Sequence, residues 1–234
     1  MLHFLLFLML NISQAPQPQQ LFVASDSLFN DNGIIYIGSR NGWRFHPGDD
    51  LNWANPDFDD SDWVFYKPSG LTGPIPDSLW NGYGWFRFRF ATDSSAYGKV
   101  THLYFSTYGA AEVYLDGNLV QKYGVFSTDL QGEKRIMSSN GIHPAVILQS
   151  ADSHVLAVRF SYHKGQPYKE LLGKYARTFG FSIGLGTDYW DQKTTTRDRR
   201  AQQEFYILGT MLLLIILLHG FLFILFPAER SNLY

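Results

Sequence analysis

The sequence predicts an all-β jelly-roll sandwich followed by one membrane-crossing helix. Three observations support this prediction: strand-type alternation recurs between about residues 33 and 187, helical periodicity is nearly absent before residue 190, and one long apolar run follows. Aromatic residues make up 17% of the chain, together with 21 glycines. This composition is typical of sheets joined by tight turns rather than of helical bundles.

The strands are predicted from alternation and turn chemistry. Residues 85–90 form the clearest one, because Trp and Arg alternate strictly with Phe. Residues 111–115 alternate in the same way and run into Asp116-Gly117, a pair that favours a tight hairpin turn. Residues 154–162 place four apolar side chains on one face, and 179–186 is the last predicted strand. The segment 166–175 is interpreted as a short helix or a loop.

Charge and cysteine content exclude several classes of protein. The 234 residues carry a net charge of -2 with no basic stripe, so we expect no nucleic-acid partner. The chain has no cysteine, which excludes a disulfide framework and cysteine-based zinc or redox sites. We expect no cofactor. A cysteine-free domain of this size suits a bacterial periplasm and would be held together by its core alone.

The first 20 residues are predicted to be a signal peptide and linker. Residues 2–10 are almost wholly apolar, a run too short to span a bilayer but of the length of a signal-peptide core. Ser13 and Ala15 favour cleavage nearby, although no Lys or Arg precedes the run. The alternative is a buried N-terminal strand. Residues 14–20 are rich in Gln and Pro and are interpreted as the linker.

A transmembrane helix is predicted at Phe205–Phe226, which has no formally charged residue. It would span about 33 Å, enough for a hydrocarbon core of about 30 Å. Residues 212–218 are apolar on every face, which argues against an amphipathic core helix. His219 inside the span indicates either a partner helix or a neutral histidine tolerated singly.

Residues 191–204 are predicted to be a juxtamembrane linker or a helical extension of the span. More basic residues precede the span than follow it, which alone would reverse the positive-inside rule. A cleaved signal peptide would override that rule by placing the N-terminal side outside. We therefore expect a bacterial inner-membrane protein whose domain at 21–190 faces the periplasm or exterior. The preceding basic residues are Lys193, Arg197, Arg199 and Arg200.

Three stretches and their order carry a family resemblance. FDDSDW at 58–63 is followed by GYGWFRFRF at 82–90, then by a strand running into LDGNL at 115–119, and later by HVLAVRFS at 154–161. This order resembles the galactose-binding-like jelly roll, which is the sugar-binding domain of glycoside hydrolase family 2 enzymes and also occurs at the front of bacterial membrane sensors. The resemblance covers about residues 43–162 and implies a fold more than a ligand.

Residues 226–234, FPAERSNLY, resemble the first loop of the seven-transmembrane receptors with diverse intracellular signalling modules. Those bacterial proteins place a jelly roll before seven membrane helices, and a kinase, cyclase or phosphatase module commonly follows. The resemblance implies that 227–234 begins a loop and that the chain is an N-terminal fragment, or else a stand-alone anchored domain. The implied partners are the membrane, further transmembrane helices, and a carbohydrate or periplasmic protein.

Two groups of residues are candidate sites. Trp80, Tyr83, Trp85 and Arg87 surround a Gly-rich loop, and aromatic platforms beside an arginine suit sugar rings, although aromatics in a sandwich are more often core. The aspartate run before Trp63 could coordinate Ca²⁺, but its spacing matches no EF-hand and a capped turn explains it, with Trp63 plugging the core. We therefore predict no metal site. The run consists of Asp57, Asp59, Asp60 and Asp62.

The predicted function is that of a sensory domain of a membrane signal-transduction receptor. The alternative is a membrane-anchored carbohydrate-binding or adhesion module without signalling output. No G-x-S-x-G, P-loop or H-E-x-x-H motif occurs, and no carboxylate pair can be assigned as acid and base. We therefore predict no catalytic residues and no enzyme.

Overall fold

The computed structural model describes residues 21–29, 31–68, 78–107, 109–136, 141–149, 153–163 and 180–225. Within these ranges eleven strands form two sheets, and one long helix follows them. The two sheets face each other across one aromatic core, so the predicted β-sandwich is confirmed. The segments 1–20, 166–175 and 226–234, where the sequence predicts a leader, a short helix or loop and a receptor loop, lie outside the described residues.

The larger sheet contains seven strands. Their bounds are β1 (Phe22–Ala24), β3 (Arg44–Pro47), β4 (Val64–Phe65), β5 (Tyr83–Thr92), β7 (Ala110–Leu115), β8 (Asn118–Tyr123) and β10 (His154–Ser161). The order across the sheet is β4-β3-β5-β10-β7-β8, and β1 pairs in parallel with the second half of β5. The long strands β5 and β10 therefore form the centre of the sheet, antiparallel to each other.

The smaller sheet contains four strands. Their bounds are β2 (Ile34–Tyr36), β6 (Val100–Thr107), β9 (Ala145–Ile147) and β11 (Phe181–Gly186). The order is β2-β11-β6-β9, and all of these pairings are antiparallel. Two short 3-10 helices lie in the connections: Asp26–Leu28 between β1 of the larger sheet and β2 of the smaller, and Leu51–Ala54 between β3 and β4 of the larger sheet.

The main core lies between the sheets and is built from aromatic rings. Phe86, Phe88 and Phe90 point inward from β5, as their alternation predicts, and all three are buried. The ring of Phe181 in the smaller sheet lies 5.2 Å from Phe86 and 5.0 Å from Phe105. Each such ring contributes roughly 1.5–3 kcal/mol of burial free energy.

The hairpin predicted at Asp116-Gly117 is confirmed. Strands β7 and β8 pair antiparallel around it. Asp116 has φ 49° and Gly117 has φ 80°, the two positive values that a tight hairpin turn with right-handed twist requires.

The helix runs from Asp188 to Leu225 and includes both the predicted linker and nearly all of the predicted span. The helical extension is therefore the alternative that the structure adopts for 191–204. Among the described residues it is the one helix long and apolar enough to cross a membrane. Within it, His219 donates from Nδ1 to the carbonyl of Ile215 at 2.8 Å, so one of its ring nitrogens is satisfied by its own helix.

The first turn of this helix is fixed to the smaller sheet. Trp190 is 6% exposed, and its ring lies 5.7 Å from that of Tyr104 and 4.7 Å from that of His143. Asp191 accepts a hydrogen bond from His143 at 2.9 Å. At Gly186, a Cβ atom would lie 2.2 Å from the Trp190 ring, so the close approach of strand and helix requires glycine.

Candidate functional site

The four predicted site residues lie in three different environments. Trp80 belongs to the main core, and Trp85 and Arg87 lie beneath a covering segment on the outer face of the larger sheet. Tyr83 is partly exposed at the start of the central strand β5. The structure therefore does not bring the four together on one surface. Of the four, Tyr83 alone is partly exposed.

Trp80 is 6% exposed and packs between two core rings. Its ring centroid lies 5.8 Å from those of Phe45 and Phe160, and its Nε1 donates to the carbonyl of Tyr162 at 3.1 Å. These contacts use the ring faces and the single polar atom of the indole.

Trp85 and Arg87 point away from the main core, yet each is 0% exposed. Residues 48–63 cover them and form a second, smaller apolar cluster with the outer face of the sheet. In that cluster, Trp85 stacks on Tyr114 with centroids 5.5 Å apart. Trp63 lies here rather than in the main core, which corrects the expectation that it plugs the sandwich interior. The members of the cluster are Ala54, Trp63, Trp85, Tyr114 and Ala157.

Asp60 anchors this covering segment by meeting three arginines. Its carboxylate accepts from Nε of Arg87 at 2.7 Å, and lies 3.5 Å from Nε of Arg89 and 3.8 Å from Nε of Arg44. The same guanidinium groups donate to backbone carbonyls of the segment, including Nη2 of Arg89 to the carbonyl of Phe58 at 2.8 Å. Arg87 and Asp60 thus hold the segment against the sheet.

The aspartate run shows the turn chemistry that the sequence predicts. Asp59 accepts from the backbone N–H of Ser61 at 3.0 Å, and this hydrogen bond lowers the pKa of Asp59. Three guanidinium groups around Asp60 disfavour a cation there. Among the described residues, no three His, Cys, Asp or Glu side chains converge as a metal site.

Tyr83 forms the centre of a partly exposed group at the start of the central strand β5. Its ring lies 6.3 Å from that of Phe126, perpendicular to it, and 6.2 Å from that of His163. The guanidinium carbon of Arg159 lies 3.9 Å from the Phe126 centroid. These four residues, Tyr83, Phe126, Arg159 and His163, are called the Tyr83 patch.

His163 is oriented by a buried carboxylate. Its Nδ1 lies 2.7 Å from an Oε of Glu133, which also pairs with Arg135. The other ring nitrogen, Nε2, is buried and has no hydrogen-bond partner within the described part of the chain. A buried polar atom of this kind is commonly satisfied by water or by a ligand hydroxyl.

Arg159 is held in place by a row of polar groups across four strands. Trp85, Arg159, Glu112 and Lys122 are successive cross-strand partners on the outer face. Arg159 donates from Nε to Asp49 at 2.7 Å and from Nη1 to Glu112 at 3.0 Å. Lys122 lies 2.6 Å from the other oxygen of Glu112. The guanidinium plane is therefore fixed over Phe126.

The pKa shifts of Glu112 and Arg159 both favour the charged form. Burial alone would raise the pKa of Glu112, but hydrogen bonds from Lys122, Arg159 and Tyr114 outweigh it and lower that pKa. Burial would likewise lower the pKa of Arg159, and its hydrogen bonds to Asp49 and Glu112 raise it instead. The row offers fixed charges and hydrogen-bonding groups beside two aromatic rings.

Sequence reasoning missed Phe126, Arg159 and His163. Arg159 could have been found from the sequence, because it is the one charged residue in the strand HVLAVRFS. Alternation places it on the face opposite the apolar side chains. Phe126 and His163 had none, since they lie on connections whose approach to Tyr83 depends on the tertiary fold.

No family model matches the chain. The β-galactosidase BoGH2A of Bacteroides ovatus is 35% identical over 108 residues, which is 38% of this chain and 12% of that enzyme. The chain therefore spans 12% of the length of the curated relative that it matches.

Solved structures with similar chains include three glycosidases. A glycosyl hydrolase family 2 member of Bacteroides cellulosilyticus is 16% identical with a TM-score of 0.46, covering 66% of this chain and 20% of that chain. A β-glycosidase of Bacteroides vulgatus is 19% identical with a TM-score of 0.41, covering 65% and 20%. A β-glucuronidase of Faecalibacterium prausnitzii is 15% identical with a TM-score of 0.41, covering 68% and 32%. Similarity at this level leaves the function to be argued from the site.

Proposed function

We propose that this protein is a membrane-anchored carbohydrate-binding module. A jelly roll of the galactose-binding-like type would hold a sugar at the Tyr83 patch on the outer side of a bacterial inner membrane. The helix would anchor the sandwich there through its apolar segment, and the anchored domain itself would be non-catalytic.

The observation that carries the proposal is the pairing of partly exposed aromatic rings with immobilised polar groups. Sugar rings stack on aromatic faces, and sugar hydroxyls accept hydrogen bonds from charged donors that are held in position. Tyr83 and Phe126 supply the rings, and Arg159 supplies a guanidinium group that two carboxylates hold in position. His163 packs beside Tyr83, and Glu133 holds its ring in position.

The identity to BoGH2A supports galactosides as the first ligands to test. That relative is a β-galactosidase, and 108 residues of it align with this chain. Because the aligned part is 12% of the enzyme, binding rather than hydrolysis is the property proposed for this chain.

The test is a glycan array probed with the full chain in detergent. The Tyr83→Ala variant removes the central ring, and Tyr97→Ala removes an exposed tyrosine outside the patch. We expect retention on galactoside-bearing glycans that Tyr83→Ala reduces about tenfold, corresponding to the loss of one stacking contact, and that Tyr97→Ala leaves unchanged. Retention on no glycan by a folded chain, or equal retention by Tyr83→Ala, would contradict the proposal.

A second candidate function is the sensory input of a signal-transduction receptor with further membrane helices, taking a carbohydrate or a periplasmic protein as its ligand. The fixed joint between the smaller sheet and the helix favours it, because Trp190 and Asp191 tie the helix that would enter the membrane to the sandwich. A ligand would change the output only through different affinities for two arrangements of this joint. Signalling by the complete receptor that survives deletion of the sandwich under every stimulus would exclude this function.

A further inference from the structure

A crevice lies between the smaller sheet and the helix. Its volume is about 290 Å³, near the lower end of small-molecule pockets. The smaller sheet and the helix both line it. Tyr36 and Tyr104 belong to the sheet, and Trp190, Lys193 and Arg197 belong to the helix. Asn32 closes one side.

Helical spacing explains why the crevice opens where it does. Trp190, Lys193, Thr194 and Arg197 are spaced i, i+3, i+4 and i+7 and therefore share one helix face. Exposure along this face rises from 6% for Trp190 to 78% for the side chain of Arg197. The helix thus starts in contact with the sheet and leaves it within two turns.

The crevice is cationic. No Asp or Glu is among the residues that line it, whereas Lys193 and Arg197 both do. The nearby acids are engaged: Asp188 pairs with His102, and Asp191 with His143. Asp198, the next residue in the chain, pairs with Arg197 at 3.6 Å but is not among the residues that line the crevice. Lys193 donates to the side-chain oxygen of Asn32 at 3.1 Å. Two cations therefore face the crevice without a lining carboxylate.

Aromatic and hydroxyl groups form the other wall. Tyr36 is 46% exposed, and its ring meets that of Tyr104 edge-on at 5.8 Å. Burial and the neighbouring Tyr104 raise the pKa of Tyr36, while the charge of Arg197 acts to lower it, which is consistent with the guanidinium lying near the phenol. An exposed ring beside hydroxyl, amide and cationic groups is an arrangement that suits a charged, polyhydroxylated ring compound.

The distance of the crevice from the bilayer indicates that its ligand is water-soluble rather than a lipid. Arg197 and Lys193 precede Phe205 by two and three helical turns, which places them about 12 and 18 Å above the predicted hydrocarbon edge. The headgroup layer on each side is about 5–8 Å thick. Side chains on a helix also lean toward its N-terminus, here away from the bilayer. Lipid phosphates would therefore lie below the crevice.

We propose that the crevice between the smaller sheet and the helix is a binding site for a water-soluble acidic sugar, whose carboxylate pairs with Arg197 and Lys193 and whose ring packs against Tyr36. The ligand class rests on the proposed carbohydrate-binding function, whereas the position and the anion preference rest on the crevice alone. Because the smaller sheet and the helix both line the site, a bound sugar would favour one arrangement of the helix relative to the sandwich.

The test uses the full chain in nanodiscs of zwitterionic lipid, titrated calorimetrically with galacturonate and with galactose. The two sugars differ at C6, where one carries a carboxylate, so the comparison isolates the anionic contact. We expect galacturonate to bind, Arg197→Gln to weaken it about tenfold or more, and added salt to weaken it further. Arg200→Gln, which removes the same charge one turn closer to the membrane and outside this crevice, is expected to leave it unchanged.

Each remaining outcome decides one point. Equal galacturonate binding by wild type and Arg197→Gln, or no galacturonate binding at all, would overturn the proposal. Galacturonate binding that depends on Tyr83 but not on Arg197 would overturn this site while leaving the proposed function intact. Competition by phosphatidylglycerol in the nanodisc would assign the crevice to lipid instead. Loss of galactose binding alone in Tyr83→Ala would support two separate sites.

Discussion

The substitution Asp60→Asn is expected to destabilise the folded protein, because Asp60 is the carboxylate that holds the covering segment against the sheet. This change keeps the side-chain shape and removes the charge that faces Arg87. The side chain of Arg87 is 0% exposed, so its charge cannot turn to solvent. Burial lowers the pKa of Arg87, and the hydrogen bond and charge of Asp60 are what oppose that effect.

The expected loss of stability follows from the burial of both Asp60 and Arg87. Removing one partner of a buried pair costs about 3–5 kcal/mol, because the remaining charge is left uncompensated. Arg87 would keep its hydrogen bonds to the carbonyls of Trp53 and Phe58, which favours the lower end of that range. A loss of about 3 kcal/mol corresponds to a Tm lower by about 6–12 °C for a chain of this size.

The assay is thermal unfolding of the full chain in detergent, followed by near-UV circular dichroism. The matched control is Asp62→Asn, which removes an exposed carboxylate from the same turn and is expected to shift the Tm by less than about 2 °C. The double variant Asp60→Asn/Arg87→Met removes the stranded charge and is expected to be more stable than Asp60→Asn alone. Equal Tm values for Asp60→Asn and Asp62→Asn would show that the buried pair of Asp60 and Arg87 does not stabilise the fold.

Two further predictions concern the joint and the pH dependence. Trp190→Ala is expected to increase amide exchange in the first turns of the helix far more than in β5, and equal effects in both would contradict a local joint. His154 donates from Nδ1 to Asp116 at 2.7 Å, and this hydrogen bond outweighs burial and raises the pKa of His154. The stability that the pair contributes through His154 is therefore full below about pH 6.5 and is lost as pH rises through the raised pKa. Burial acts to raise the pKa of Asp116, but hydrogen bonds from His154 and from the N–H of Val155 outweigh it and lower that pKa. The stability that Asp116 contributes is therefore present above about pH 4 and is lost as pH falls through the lowered pKa. His154→Gln is therefore expected to flatten the Tm decrease between pH 6 and 8, and an unchanged slope would exclude the pair as its source.

Local features of the fold could be predicted because their cause is local. Alternation in β5 assigns Phe86, Phe88 and Phe90 to one face, and the two positive φ values at Asp116 and Gly117 follow from the need for a tight turn. The helix was recognised from its uniform apolar run, although its start at Asp188 depends on the packing of Trp190 against the smaller sheet.

The candidate site was harder to predict because it depends on which sheet faces are covered. Alternation places Trp85 and Arg87 opposite the core face, but it does not indicate that residues 48–63 fold back over them. The same limit applies to Phe126 and His163, which reach Tyr83 from connections distant in sequence. Long-range coverage of this kind is set by tertiary packing rather than by a local period.

Carbohydrate binding at the Tyr83 patch is tested by a thermal-shift screen of the full chain against galactosides, other neutral sugars and acidic sugars, with Tyr83→Ala beside the wild type. A sugar that binds the folded state alone stabilises it by about 2.7 kcal/mol at a hundredfold excess over its Kd, which raises the Tm by about 5–11 °C. We predict such a shift for at least one galactoside and its loss in Tyr83→Ala. A folded chain whose Tm no sugar raises would contradict carbohydrate binding and favour a protein partner.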